Sequence, residues 1–476
     1  MSKEELDQGT NRYTTKTYLS FSMWLVMYTM LTQTMGLFLY FYYHTVIGLS
    51  PLLIFTATAI NTVWGGFNDP FIGYLTDRNF KWTRKWGRRF PFMALGLIPW
   101  CFIVILIFSA PAVTADPMPA FIWLLVMLIL NELFMTISDV HGNMLRADKF
   151  RTEAERRQFS GYFGIFGLIA AALGTALPPL LLFFGDTPLS YMVMAIIISM
   201  SALVGVFLFL LNGAREDKIM IDRYYSGDYK RFKLLNGAKE VLKQKSFIGF
   251  WLAAAGHSIA YTMTTALVAY IATFVLQVPT FIMTILLAIF IVGGIISVPI
   301  WLKILKKVND ARRVYLIGSI AFIIALIPLT FFTGVIDLAI FMFITGLTFG
   351  CLLSLKMPVI FSHVQDDFVV RTGKNQKGIL VGTWAILTLF TSFVDELMFT
   401  LVFTITGFKE GYATYALLEA EVGASAMIPI VWGVRLLFGV IPMIIMGLGT
   451  LAFWKLYALN HEKVVANKAK LKELGF

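Results

Sequence analysis

The sequence is short of charge. Asp, Glu, Lys and Arg make up 14% of its 476 residues, against 58% hydrophobic, and a soluble chain of this length needs far more charge to cover its surface. Cysteine is almost absent. Cys101 and Cys351 both lie in apolar runs, which allows one bridge at most and leaves no CxxC metal or redox spacing. The opening MSKEELDQGTNRYTTK lacks the basic-then-apolar layout of a cleaved signal peptide, so the first apolar span is expected to stay in the mature protein. No catalytic constellation appears, and neither an enzymatic activity nor a cofactor is expected.

What the chain has in abundance is apolar run length. Twelve stretches approach or exceed the roughly 20 residues that cross a hydrocarbon core: 17–43, 51–77, 89–110, 118–146, 158–184, 187–213, 247–276, 279–305, 314–333, 336–365, 376–407 and 429–457. Each must be a helix, because lipid cannot satisfy an open sheet edge. The predicted class is therefore an all-α membrane protein with twelve transmembrane helices.

Net charge is +11. All but three of the 39 Lys and Arg residues fall in seven segments at alternate span ends, the exceptions being Lys356, Lys409 and Arg435. That bias orients the chain with both termini cytoplasmic in a plasma or inner membrane. It leaves no basic face for nucleic acid; the surrounding partner is membrane lipid. The longest internal polar segment, 214–246, separates an N-terminal six-helix bundle (1–213) from a C-terminal one with its tail (247–476). Its part YKRFKLLNGAKEVLKQK (229–245) reads as a helix on the inner leaflet or as a solvated linker. DRNFKWTRKWGRRFPF (77–92) and PIWLKILKKVNDARRVYL (299–316) are basic turns at corresponding places of the halves, as internal repeats of transporters produce.

The stretch GFNDPFIGYLTDRNFKWTRKWGRRFPF (66–92) carries Asn68-Asp69-Pro70, then Gly73-Tyr74-Leu75-Thr76-Asp77-Arg78, then Trp86-Gly87-Arg88-Arg89. Ser138-Asp139, the stretch Arg371–Gly378, GVRLLFGVIPMI (433–444) and WKLYALNHEKV (454–464) add weaker matches. Together they resemble the glycoside–pentoside–hexuronide:cation symporters, the melibiose-permease-like branch of the major facilitator superfamily. The resemblance implies two pseudo-symmetric six-helix bundles. It also implies alternating-access symport of a sugar, glycoside or related small polar solute with Na+ or H+, by a monomer. The sequence departs from the family at four places. Gly65 stands where sodium-coupled members have a second carboxylate on the second helix. Thr29, Gly164 and Leu389 replace charged residues of galactoside transporters. A lysolipid or other amphiphile transporter, an uncoupled uniporter and a non-transporting sensor of the same fold stay open.

Ionisable side chains at membrane depth are costly and mark function by default. Six lie inside the spans: Asp69, Glu132, Asp139, Lys356, Asp395 and Glu396. Counting helical rise from the basic span ends places Asp69, Asp139 and Lys356 at about 10–15 Å. Asp69, with Asn68, Asp139 and Thr136, is the candidate site for the coupling cation: carboxylates are hard oxygen ligands for sodium, and a desolvated carboxylate can also hold a proton. A helix-packing carboxylate is the alternative. Trp64, Glu132, His257, Tyr261 and Lys356 are the candidate solute contacts. Core packing is the alternative for Trp64 and His257, and a structural ion pair with Asp69 or Asp139 for Lys356. Asp77, Arg78, Arg88 and Arg89 are expected to form a gating charge relay. Asp395 and Glu396 read as outer-vestibule or interfacial residues, and Tyr40 to Tyr43 as an interfacial aromatic belt.

Overall fold

In the computed structural model the described residues are 12–76, 80–182, 185, 187–226, 239–373 and 377–473. They contain helices and no strand. Twelve long helices follow one another: α1 (Thr15–Phe41), α2 (Pro51–Thr76), α3 (Phe90–Ile107), α4 (Met118–Lys149), α5 (Glu153–Leu181), α6 (Pro188–Leu208), α7 (Lys245–Ala266), α8 (Phe281–Val308), α9 (Ala311–Leu326), α10 (Val335–Leu355), α11 (Lys377–Thr406) and α12 (Ala424–Phe438, resuming as Val440–Leu456). A polar helix, α13 (His461–Glu473), ends the described chain.

Ten of these stretches are long and apolar enough to cross a membrane. The other two, α1 and α2, have 27 and 26 residues, enough for the crossing. Their Thr, Gln, Asn and Asp side chains keep their hydropathy lower, and that polar content is where α2 carries its candidate site residues.

Local chemistry sets the helix ends. Thr152 and Glu155 form a reciprocal capping box at the start of α5, Thr187 caps α6 with Pro188 in its first turn, and Asp310 caps α9, each satisfying otherwise orphaned amide donors. Past α6 the chain continues as a π-helical turn, Phe209–Gly213. There Lys149 at the end of α4 drives its ammonium into the carbonyls of Asn212, Gly213 and Arg215 at 3.3, 2.7 and 2.9 Å. A cation on exposed carbonyls at a helix C-terminus is the favourable sign of charge, which explains a lysine only 2% exposed.

The chain divides into two compact units. The first comprises Met1–Lys230 with Glu410–Ala413, the second Arg231–Lys409 with Thr414–Phe476. In the first, α1 packs on α5 and α6, and α4 packs on α2 and α3. In the second, α8 packs on α10, α7 on the later part of α12, and α9 on α10. The aromatic belt expected at Tyr40 to Tyr43 is instead interior. Tyr40, Phe41, Tyr42 and Tyr43 are all 5% exposed or less, and the Tyr42 and Tyr43 hydroxyls donate to the Phe108 and Ile107 carbonyls at 3.0 and 2.8 Å. Those carbonyls end α3 and supply the acceptors a tyrosine hydroxyl needs once buried.

In the second unit α8 and α10 approach closely. A Cβ on Gly346 would strike the Phe290 carbonyl oxygen, and one on Gly350 the Ser297 hydroxyl. Small residues four apart let membrane helices meet backbone to backbone. Gly346→Val is therefore expected to destabilise by about 1–3 kcal/mol, as overpacking does, and to lower the thermal unfolding midpoint in detergent. Gly447→Val is the matched control, since a Cβ there meets nothing within 4 Å. Equal midpoints for the two variants would contradict the close approach.

Candidate functional site

In the first unit most of the candidate site side chains gather where α2 faces α4. The Thr136 hydroxyl donates to Asp69 Oδ1 at 2.6 Å. Next to Asp69, Asn68 is 1% exposed and its amide donates to the Glu132 carbonyl at 3.3 Å. Its Oδ1 is buried with no hydrogen-bond partner among the described residues. One helical turn before Asp69, Gly65 has no side chain, and the Glu132 carboxylate fills the space: a Cβ at Gly65 would lie 3.0 Å from Glu132 Oε1. Asn61, a further turn back, hydrogen-bonds the same carboxylate.

Asp139 accepts the Asn143 amide at 2.9 Å. Residues 132, 136 and 139 share a face of α4 by their spacing of four and three; Glu132 and Thr136 meet α2 directly, and Asp139 lies one turn beyond. Aromatic rings close the site from α1 and α3. Trp24 donates to Ser138 at 3.1 Å, Trp100 donates to Asn131 at 2.9 Å, and Tyr28 sits between the two indoles at 5.8 and 5.3 Å.

Asp69, Glu132 and Asp139 act electrostatically on one another and on Tyr28. Among the described residues none of the three makes an ion pair within 4.0 Å; Arg146, two turns along α4, is the cation felt by Asp139. Nor do three His, Cys, Asp or Glu side chains of the described residues converge as for a metal ion. The arrangement is thus no divalent-metal cage. Single carboxylates are joined to neutral oxygens of Thr and Asn, a donor set suited to a monovalent cation or a proton.

Trp64 also lies on α2, with a buried indole nitrogen lacking a partner. Asp77 and Arg78 lie outside the described residues. Arg88 and Arg89 are each 3% exposed. Arg88 covers the Tyr224 ring at 4.4 Å, and Arg89 Nε is 3.9 Å from Asp148.

Glu216, which the sequence reading did not single out, holds this turn. Its Oε2 accepts the Arg89 and Phe90 amides at 2.8 and 3.1 Å, and its Oε1 accepts the Tyr224 hydroxyl at 2.5 Å. Gly87, at φ 88°, is the residue a Cβ would push into Glu216. An acid immediately after Arg215, at the edge of a basic segment, was the available signal.

In the second unit Lys356 Nζ lies 3.1 Å from His257 Nδ1. Among the described residues of this unit no carboxylate pairs with it. His257 is 2% exposed and its Nε2 is buried without a hydrogen-bond partner among the described residues. Phe349 packs on both His257 and Tyr261, at 5.1 and 5.0 Å between ring centres, and Phe322 meets His257 edge-on at 5.8 Å. Lys356 opens a π-helical turn, Lys356–Phe361, that follows α10. Such turns inside helices recur at functional sites.

On α11, Asp395 and Glu396 are more enclosed than an interfacial position would leave them. Asp395 is 5% exposed, and Asp395 Oδ1 and Glu396 Oε2 are both buried without partners. Depth along a helix does not reveal which face the neighbours cover.

The sequence model of the family described as MFS/sugar transport protein matches residues 20–461. The chain belongs to that family. This MFS protein also shares its fold with solved transporters at low identity. A bacterial homologue of the human lysosomal transporter Spinster, in an inward-facing and unoccupied conformation, superposes with a TM-score of 0.66 at 12% identity, over 96% of this chain and 99% of that one. A D-xylose-proton symporter gives 0.61 at 11%, over 93% and 97%. The nucleoside transporter NupG gives 0.55 at 14%, over 96% and 97%. The MFS protein is accordingly an integral multi-pass membrane transporter of the major facilitator fold and not an enzyme, as the resemblance of the 66–92 stretch implied.

Proposed function

We propose that this protein is a secondary active transporter that carries a sugar, glycoside or related small polar solute in symport with Na+ or H+, by alternating access. The observation that carries the reading is the α2–α4 contact, where Asp69 meets Thr136 beside Glu132 and Asp139 with no ion-pairing base among the described residues. Like charges in a low-dielectric interior repel strongly, and an arriving cation or proton offsets that repulsion. Asp69, Asn68, Thr136 and Asp139 are the residues proposed to hold it. Trp64 and Glu132 in the first unit, and His257, Tyr261 and Lys356 in the second, are the proposed solute contacts. Arg88 and Arg89 are the described part of the proposed gating relay with Asp77 and Arg78. The family description and the fold shared with a D-xylose-proton symporter support the solute class and the coupling.

The test is uptake of a panel of radiolabelled sugars and glycosides into proteoliposomes with inward sodium and proton gradients imposed separately. Accumulation above the external concentration under one gradient, collapsing with the matching ionophore, is the expected result. Equilibration to the external level under either gradient would reduce the protein to a uniporter. Movement of a lysolipid alone would replace the proposed cargo.

A further inference from the structure

The second unit has two adjoining crevices where α8 turns into α9 and α13 comes alongside. One, of about 290 Å³, is lined by Leu302, Lys306, His363, Val465 and Lys468 among others. The other, of about 270 Å³, is lined by Asp310, Arg312, Arg313, Leu316 and Trp454. Asn460 lines both. None of these residues belongs to the proposed transport site.

Their chemistry is two-sided. Asp310 is the one acid among the described lining residues, and it is already engaged: it accepts the Arg313 amide at 3.2 Å and lies 3.4 Å from Arg313 Nε. Arg312 is pinned by donating to the Trp454 carbonyl at 2.8 Å, with its Nε buried and without a hydrogen-bond partner among the described residues. Lys306 and Lys468 are exposed and make no ion pair within 4.0 Å among the described residues. Beside these cations stand outward-facing apolar side chains: Leu302 is 44% exposed, Val465 52% and Trp454 57%. A soluble anion would need the cations and leave that rim in water. A lipid uses both, since basic pockets at the positively charged ends of membrane helices suit anionic headgroups and tryptophan favours the headgroup level.

We infer that these crevices seat the headgroup of an anionic phospholipid of the inner leaflet. Lys306 and Lys468 donate to its phosphate, and Leu302, Val465 and Trp454 flank the start of its acyl chains. The occupant clamps α13 against the α8–α9 turn, where Asn309 Nδ2 and His461 Nε2 already approach to 3.5 Å.

The full chain in detergent, titrated with phosphatidylglycerol or phosphatidylcholine and read by native mass spectrometry, tests this. Phosphatidylglycerol is expected to be retained in preference. Its apparent affinity should fall about thirty-fold in K306Q/K468Q, as two lysines near a lipid surface imply, and less than two-fold in K463Q/K472Q, which removes the same charge from α13 outside the crevices. K468Q alone carries the comparison if the double variant unfolds. Equal affinity in wild type and K306Q/K468Q would overturn the site. So would an equal loss in K463Q/K472Q, or displacement of the lipid by inorganic phosphate.

Discussion

Asp69→Asn is expected to abolish accumulation of solute against its gradient while leaving equilibrating exchange in place. The asparagine keeps the size of the side chain and an oxygen for the Thr136 hydroxyl, now donating to Asp69 at 2.6 Å. What it removes is the charge that a sodium ion or proton would neutralise. Coupling free energies between two ligands typically amount to about 1–3 kcal/mol, or up to roughly 150-fold in affinity, so the solute affinity gained from the cation should drop by about that factor. Measured in proteoliposomes, the variant should show solute counterflow near the wild-type rate and no response to an imposed gradient. Gradient-driven accumulation at the wild-type level in Asp69→Asn would rule out Asp69 as the coupling group. Asp139→Asn, whose carboxylate is held by Asn143 at 2.9 Å, is the informative companion, because it lowers the charge of the same cluster without touching the Thr136 contact.

Lys356→Met should give the second large effect. The ammonium has three donors, and His257 Nδ1 at 3.1 Å is the partner in its own unit. With His257 Nε2 also buried and unpartnered, this corner of the second unit holds hydrogen-bonding capacity that the fold leaves unused. A solute oxygen that completes it gains a charge-assisted bond of about 1.5–3 kcal/mol. The methionine variant should therefore bind solute roughly 10- to 100-fold more weakly, read by equilibrium binding in detergent, while its cation dependence stays intact. Unchanged solute affinity would confine Lys356 to a packing role. Cation dependence separates the two proposed sites: Asp69→Asn should lose it, whereas Lys356→Met should keep it while binding solute more weakly.

The helices were legible because crossing length and charge placement are local properties. Each of the twelve stretches has a long helix at its core in the described residues, including α1 and α2, whose polar residues hold their hydropathy down. The Asp69–Thr136 contact was partly legible too, since Asn68-Asp69 and the helical spacing of Thr136 and Asp139 mark one face of each helix. Its complement was not. Gly65 reads in the sequence as a lost carboxylate, and only the packing of α4 shows the Glu132 carboxylate in the room that glycine leaves. Lys356 and His257 stand 99 positions apart, beyond any periodicity. Counting rise along α11 placed Asp395 and Glu396 near its outer end but said nothing of what covers them. Glu216 was hidden because an acid beside basic residues looks like ordinary surface charge until its two oxygens are seen on the Arg89, Phe90 and Tyr224 donors.

One helix joins chemistry that is otherwise remote. The 32 residues of α4 run unbroken from Met118 to Lys149. They hold Glu132, Thr136 and Asp139 along their length and end in the ammonium that plugs the carbonyls after α6. Thr136 and Lys149 are thirteen residues apart, roughly 20 Å of stiff rod. A rod cannot shift at one end alone. Any tilt of α4 that accompanies a change at Asp69 must also strain or release the Lys149 plug, which makes this single lever a natural mechanical link between an ion-sized event inside the bilayer and the protein's water-facing edge.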